Sequence, residues 1–260
     1  MKKIQKIDEL QQYLESQTPD MRFKMELIID YLKSVPSDQL DCAMDKLGKS
    51  IKASIKLKGT SLKMEVSMEN LLPKDGEVYM LPQFFSNEES DRLYKSLQTN
   101  IAWKQEPIKM FGKEIMQPRL TAWYGDERMS YTYSGITMQP LSWNDDLTFI
   151  KNKIEVETGY AFNSALLNFY RDGNDSVGWH RDNEKSLGIN PIIASVSFGT
   201  SRDFHLKHVT DRDLTVKVPL TNGSLLLMKG KTQHHWLHSI QKEPKVRSGR
   251  INITFRTIVK

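Results

Sequence analysis

Length, composition and charge exclude several classes of protein. The 260 residues suffice for one sizeable core or for one catalytic domain with an appendage, and the mean hydropathy of -0.52 is typical of a soluble globular protein. No apolar run approaches the ~20 residues that span a bilayer, and the start lacks a signal-peptide core. We therefore expect no membrane contact and an intracellular location, which would be the cytoplasm in a bacterium or the nucleus in a eukaryote. One cysteine, Cys42, excludes an intrachain disulfide and a cysteine-based zinc site, and the net charge of +5 weakly favours polyanionic partners.

Residues 1–72 are predicted to be a helical extension. Apolar residues recur at helical spacing in three stretches, the third of which contains Leu40, Met44, Leu47, Ile51 and Ile55. Six lysines and no acidic residue lie between Lys46 and Lys63. This run has two interpretations, a solvated helix face or an accessory contact with nucleic-acid phosphates.

A boundary is predicted near residues 72–76, so that residues 73–260 form the main domain. A strand is expected over residues 77–82, and Ser86 with Glu88 and Glu89 predicts a helix that continues through Leu97. Strand signals lie within residues 103–133, and a helix is expected over 143–158. Short strands follow at 166–170, 192–198, 203–208, 214–220, 224–228, 236–240 and 251–259. The pattern predicts an α+β, mainly β fold with a double-sheet jelly roll as its core, at about residues 160–260.

Two short strand-like stretches carry candidate metal ligands, Trp179-His180-Arg181-Asp182 and Trp236-Leu237-His238-Ser239-Ile240. Side chains two apart on a strand share a face, so His180 and Asp182 can converge on one ion. His238 would complete a 2-His-1-carboxylate face that leaves open positions on a non-haem Fe(II). A His-x-Asp triplet alone is weak evidence because it arises by chance in many proteins, and His234 and His235 are alternative third ligands.

The last predicted strand places two arginines on one face. Period-two alternation puts Arg250, Asn252, Thr254 and Arg256 on one side, and Ile251, Ile253 and Phe255 on the other. Two inward guanidinium groups are costly to desolvate unless an anion meets them. A dicarboxylate is the natural ligand, because arginine binds carboxylates in bidentate geometry.

Together these motifs resemble the AlkB branch of the Fe(II)/2-oxoglutarate dioxygenases over about residues 76–260. Asn168-Phe169-Tyr170, Ser195-Val196-Ser197-Phe198-Gly199 and Arg202-Asp203-Phe204 match the family in the expected order. The resemblance implies a double-stranded β-helix buttressed by helices, with Fe(II) bound by His180, Asp182 and His238, and with 2-oxoglutarate and O2 as cosubstrates. It also selects His238 over His234 and His235.

The resemblance further assigns the cosubstrate pocket. Arg250 is expected to bind the distal carboxylate of 2-oxoglutarate, and Arg256 to lie near the metal-proximal carboxylate. Asn168, Tyr170, Asn252 and Thr254 are expected to complete the polar lining. Arg202 is expected to support Asp182 from outside the metal's own ligand shell.

The activity and the substrate are likewise implied by the resemblance. N-alkylated bases, with 1-methyladenine and 3-methylcytosine as the expected lesions, would be oxidatively demethylated as 2-oxoglutarate is decarboxylated. Duplex DNA is the expected partner of a monomeric enzyme. RNA or single-stranded nucleic acid is one alternative, and a noncatalytic nucleic-acid-binding protein with a vestigial iron site is another.

Three stretches are predicted to contact that substrate. The finger Met110-Phe111-Gly112-Lys113 is expected to enter a base stack, although a Phe111 ring tucked into the core is the alternative. The nucleotide-recognition region, at about residues 101–140, contributes Arg119, Tyr131, Tyr133 and Ser134, and Tyr133 is expected to stack on the extruded base. Glu184 either meets the cationic base or is a solvated loop acid.

Overall fold

The computed structural model describes residues 51–58, 61–110, 113–127, 131–133 and 136–259. The chain divides into two compact units, Met1–Leu71 and Leu72–Lys260. No helix in this described part is long and apolar enough to cross a membrane.

In the first unit, strands β1 (Ile51–Lys58) and β2 (Ser61–Met68) form an antiparallel hairpin in which Ile55 pairs with Met64. The helix predicted through Ile51 and Ile55 is therefore wrong over these residues. Apolar and polar residues alternate strictly from Ile51 to Lys58 and from Ser61 to Met68, and this period of two is the pattern of a strand. The first two predicted helices lie outside the described residues.

Besides one short 3-10 helix, the described part of the second unit contains three α-helices and the remaining strands. In chain order these are β3 (Glu77–Leu81), α1 (Asn87–Asn100), β4 (Pro107–Met110), β5 (Lys113–Met116), β6 (Leu120–Gly125), β7 (Tyr131–Tyr133), β8 (Ile136–Met138), α2 (Asp145–Thr158), β9 (Ser164–Tyr170), β10 (Val177–His180), β11 (Ile193–Gly199), β12 (Arg202–His208), β13 (Thr215–Leu220), β14 (Ser224–Lys229), α3 (Thr232–His235), β15 (Trp236–Ile240) and β16 (Arg250–Arg256).

Two antiparallel sheets make up the body of this unit. The larger has the order β3-β14-β11-β16-β9-β6, and the smaller has the order β10-β15-β12-β13. The predicted mainly β, double-sheet architecture is confirmed. The predicted strand positions agree with β9 and β11–β16 to within a few residues.

Both predicted long helices are present, and their ends follow from local chemistry. Helix α1 opens with a capping box in which Ser86 Oγ accepts the Glu89 N–H at 3.1 Å and Glu89 Oε2 accepts the Ser86 N–H at 3.0 Å. Helix α2 begins after Asn144, whose side chain accepts the Leu147 N–H, and ends at Gly159 in the left-handed region, with φ of 71°.

The larger sheet separates the hydrophobic core from a polar interior. Strands β11 and β16 are buried along almost their whole length. Their apolar face, with Val196, Phe198 and Ile253, joins the core that also contains Leu93 of α1 and Ile150 of α2. The other face therefore presents its polar residues to the smaller sheet, where the site described next is found.

Candidate metal and cosubstrate site

A pocket that opens to solvent is lined by residues from both sheets. Strand β9 contributes Asn168 and Tyr170, and β16 contributes Arg250, Asn252, Thr254 and Arg256. His180, Asp182 and His238 lie in the same pocket. All nine residues predicted from the sequence to bind metal or cosubstrate are thus brought together, because alternate residues of β9 and β16 face away from the core.

His180, Asp182 and His238 each offer a ligand atom within 4.8 Å of the others. His180 of β10 pairs directly with His238 of β15, which brings together two residues 58 positions apart in sequence. The Nδ1 of His180 lies 2.8 Å from the Gly178 carbonyl, which can only accept, so Nδ1 carries the proton. The lone pair is then on Nε2, 3.9 Å from Asp182 Oδ1, as a metal ligand requires.

The charges of this group also suit a divalent cation. Burial lowers the pKa of His238 to about 3, so its ring is neutral and can ligate. Burial acts to raise the pKa of Asp182, but the positive charge of Arg256, which also donates a hydrogen bond to the carboxylate, lowers the pKa overall, so the carboxylate is ionised. Arg256 Nη2 donates to Asp182 Oδ2 at 2.8 Å, which leaves Oδ1 on the side of His180.

Two expectations about Asp182 need correction. The strand-like stretch ends at His180, so Asp182 lies in the following loop and does not share a strand face with His180. Arg202 does not contact Asp182 and instead donates to the carbonyls of Asp172 and Asp175, both at 3.1 Å. Arg256, predicted to lie near the metal-proximal carboxylate of the cosubstrate, is the arginine that holds the Asp182 carboxylate. Sequence spacing could not show whether Arg202 or Arg256 contacts Asp182, because both side chains are expected to point into the domain.

Arg250 has the properties of a carboxylate receptor. Its side chain is only 1% exposed, lies with its guanidinium carbon 5.2 Å from the centre of the Tyr170 ring, and donates through Nη2 to Ser197 Oγ at 2.9 Å. Within the described residues, Nε and Nη1 have no hydrogen-bond partner. Burial lowers the pKa of Arg250 to about 10, so the group remains a cation at neutral pH. An unpaired buried cation with two free donors fits a carboxylate ligand.

The remaining polar lining forms a connected network. Thr254 Oγ1 donates to Asn252 Oδ1 at 3.1 Å, and Asn252 Nδ2 donates to Ser195 Oγ at 2.8 Å. Ser195 and Ser197 were not predicted as site residues, although their two-residue spacing on a strand was a signal for it. Arg119, predicted to bind substrate, lines this pocket and donates through Nε to Asn168 Oδ1 at 2.7 Å.

The other predicted substrate residues are only partly described. Met110 of β4 pairs with Lys113 of β5, so a hairpin is present where the finger was expected. Phe111 and Gly112, between them, lie outside the described residues, and the side chains of Met110 and Lys113 are not described either. Tyr131 and Tyr133 belong to β7, without described side chains, and Ser134 lies outside the described range.

Glu184 lies two residues beyond Asp182, immediately before a short 3-10 helix, Lys185–Leu187. Its side chain is half-buried, and Oε2 is buried with no hydrogen-bond partner in the described part of the chain. This environment differs from that of a fully solvated loop acid.

A second trio of potential ligands, Asp75, His208 and His235, also has ligand atoms within 4.8 Å of one another. The buried His208 ring accepts the Asp211 N–H on Nδ1 at 3.1 Å. A neutral ring then carries its proton on Nε2, which faces Asp75 Oδ2 at 3.4 Å and has no lone pair for a metal. His234 contacts the Ile189 carbonyl through Nε2 at 2.6 Å, so neither alternative histidine joins the group of His180.

Comparisons with known proteins agree with this site. A family model described as the 2OG-Fe(II) oxygenase superfamily matches residues 77–256. The human protein "Alpha-ketoglutarate-dependent dioxygenase alkB homolog 3" is 45% identical over 190 residues. The matched region is 70% of this chain and 66% of that protein, so the chain spans just under two thirds of that relative's length. The human "DNA oxidative demethylase ALKBH2" is 38% identical over 185 residues, 67% of this chain and 71% of that protein. A solved structure, "The structure of OsALKBH1", superposes with a TM-score of 0.52 at 22% identity, covering 69% of this chain and 97% of that one, which supports the fold.

Proposed function

The chain belongs to the 2OG-Fe(II) oxygenase superfamily and to its AlkB family, and we propose that it removes alkyl groups from nucleic-acid bases by oxidative demethylation. One observation carries the proposal: the His180, Asp182 and His238 ligand atoms converge beside Arg250, whose buried donors lack a partner in the described structure. We assign this chemistry to residues 73–260. A nucleic-acid substrate would place the enzyme inside the cell.

The side chains have distinct roles in this proposal. His180, Asp182 and His238 hold Fe(II), which when bound supplies the oxidation of the alkyl C–H bond coupled to decarboxylation of 2-oxoglutarate. Arg250 binds the distal carboxylate of 2-oxoglutarate. Asn168, Tyr170, Asn252 and Thr254 enclose the cosubstrate, and Arg256 orients Asp182 while presenting positive charge to the pocket.

Alkylated DNA is the proposed substrate, with 1-methyladenine and 3-methylcytosine as the preferred lesions. Both bases are cationic, and the buried Oε2 of Glu184, which has no described partner, supports a contact with them. The β4–β5 hairpin supports a finger at Phe111-Gly112 that could occupy the gap left in a duplex by an extruded base. One relative is itself named a DNA oxidative demethylase.

A demethylation assay tests the proposal. The protein, with Fe(II), 2-oxoglutarate and O2, is incubated with 1-methyladenine or 3-methylcytosine in duplex DNA, single-stranded DNA or RNA, and the bases are quantified by mass spectrometry. We expect repaired base and one succinate per repair with wild type, and neither with His180→Ala. Absence of succinate and repaired base from every wild-type reaction would contradict the activity.

The same assay tests the preference for duplex DNA. Phe111→Ala is expected to lower the rate on duplex DNA more than on single strands, because only the duplex leaves a gap to fill. Equal losses on both substrates, or a wild-type preference for RNA, would contradict the assignment to duplex DNA and leave the demethylase chemistry intact.

A further inference from the structure

The proposed iron ligand Asp182 lacks the support that a strand gives its residues. Strand β10 ends at His180, so the Asp182 N–H has no sheet partner. The residue is nevertheless almost completely buried, and a buried backbone donor needs a partner. Something outside the sheet must therefore hold the backbone that carries this carboxylate.

Gln233 provides that partner. Its side-chain Oε1 accepts the Asp182 N–H at 3.0 Å, in a buried hydrogen bond between residues 51 positions apart. The orientation of the Gln233 amide is fixed by this contact, because a backbone N–H can only donate. The nitrogen of the same amide, Nε2, donates to a weak acceptor, Met228 Sδ at 3.6 Å, and Gln233 is 2% exposed.

The short helix α3 is anchored to two strands of the larger sheet through Thr232. Thr232 Oγ1 accepts the Glu77 N–H at 2.8 Å and donates to the Lys229 carbonyl at 2.6 Å, which ties the helix to β3 and β14. Arg181 Nη1 donates to the His234 carbonyl at 3.0 Å, next to the Gln233 contact. Helix α3 therefore joins the loop after β10 to the larger sheet.

We propose that Gln233 is a positioning residue for the metal site. It fixes the backbone of Asp182, while Arg256 fixes one carboxylate oxygen at 2.8 Å, so the other oxygen is held toward His180 before a metal arrives. The segment that supplies the ligand His238 thus also orients the ligand Asp182. This inference rests on the proposed iron site.

Metal binding by the full-length protein tests it. We would titrate Mn(II), which replaces the oxidisable Fe(II), in the presence of 2-oxoglutarate by calorimetry, using wild type, Gln233→Met, Gln233→Glu and Gln241→Met. Gln233→Met keeps the length and apolar volume of the side chain but removes the acceptor. Gln241→Met is the matched control, because Gln241 donates a similar side-chain bond, to Ser239 Oγ at 2.7 Å, and has no described contact with Asp182.

Gln233→Met is expected to weaken Mn(II) binding about 10- to 100-fold, the usual loss when a partner of a metal ligand is removed. The KM for Fe(II) in succinate formation should rise by a similar factor, while kcat at saturating iron stays within about threefold. Gln233→Glu should bind within about fivefold of wild type, because burial favours the neutral carboxylic acid, whose carbonyl oxygen accepts the same N–H. Gln241→Met should bind as wild type does.

Two results would overturn the inference: Mn(II) affinity of Gln233→Met within twofold of wild type, even if its Tm falls, or an equal loss in Gln233→Glu and Gln233→Met. If Gln233→Met does not fold, Gln233→Asn replaces it, since an amide one methylene shorter cannot reach Asp182 and should lose affinity equally. Failure of wild type to bind Mn(II) would instead contradict the proposed function.

Discussion

Replacing Arg250 by Met should strongly weaken the binding of 2-oxoglutarate without destabilising the folded protein. Two donors of this guanidinium, Nε and Nη1, lack partners in the described structure, and a carboxylate would accept from both. Hydrogen bonds to charged groups contribute about 1.5–3 kcal/mol each, so about 3–6 kcal/mol should be lost. At ~1.4 kcal/mol per tenfold, the Kd for 2-oxoglutarate should rise about 10²- to 10⁴-fold.

Although Arg250→Met weakens cosubstrate binding, it should not lower the thermal stability of the protein without 2-oxoglutarate. Burial lowers the pKa of Arg250 to about 10 in the folded protein, so folding disfavours the charged form. Neutral pH is below the pKa of both the folded and the unfolded state, and the charge therefore destabilises the folded protein there. Methionine has a similar length and no charge to desolvate. We therefore expect an equal or higher Tm for Arg250→Met without 2-oxoglutarate, and loss of the rise in Tm that 2-oxoglutarate gives wild type.

Calorimetric titration of 2-oxoglutarate with Mn(II) present, together with thermal unfolding, measures both effects. Arg247→Met is the matched control, because the same substitution is made at an exposed arginine before the strand begins. A Kd for Arg250→Met within about threefold of wild type would refute the carboxylate contact, and a Tm well below that of Arg247→Met would refute the stability argument.

Three further predictions concern other parts of the domain. Arg256→Met should raise the pKa of Asp182, so that Mn(II) binding is lost at a higher pH than in wild type as the solution is acidified; superimposable pH titrations would contradict this. Glu184→Gln should raise the KM for DNA containing 1-methyladenine about tenfold and leave the 2-oxoglutarate Kd unchanged, and an unchanged KM would remove Glu184 from base recognition. The pKa of Glu89 is lowered because hydrogen bonds from Ser86 and Lys153 outweigh its burial, so its stabilisation is present above pH ~4.3 and is lost as the pH falls through the folded pKa. Glu89→Gln should thus lower the free energy of unfolding by about 1 kcal/mol at pH 7 and by less at pH 3, as urea unfolding at both pH values would show.

The sequence predicted the pocket well because its residues lie on regular strands. Period-two alternation is set by backbone geometry, so Asn168 could be grouped with Tyr170, and Arg250 with Thr254, without coordinates. That both strands line one pocket was implied by the family resemblance. The capping box at Ser86 is equally local, since both of its hydrogen bonds join residues three apart.

The errors arose where contacts between distant residues or competing periodicities decide the structure. Ile51 and Ile55 fit a helical spacing of four as well as a strand spacing of two, and strand pairing with Met64 satisfies the second pattern. Arg202 and Arg256 have the same chemistry and both are expected to point inward. Which of them reaches Asp182 depends on the path of the loop after His180, and that path is fixed by Gln233, 51 residues later.

In their neutral forms His180 and His208 carry the proton on different ring nitrogens. This difference explains how a chain with two trios of one aspartate and two histidines can favour metal binding at one trio over the other. Each ring has a main-chain group at Nδ1, a carbonyl in the first case and an amide in the second. The main-chain group at Nδ1 thus decides whether Nε2 of the neutral ring has a lone pair for a metal. Nε2 of His180 has one, and Nε2 of His208 does not. Binding of a metal ion at Asp75 through His208 is thereby disfavoured, although both trios contain the same types of side chain.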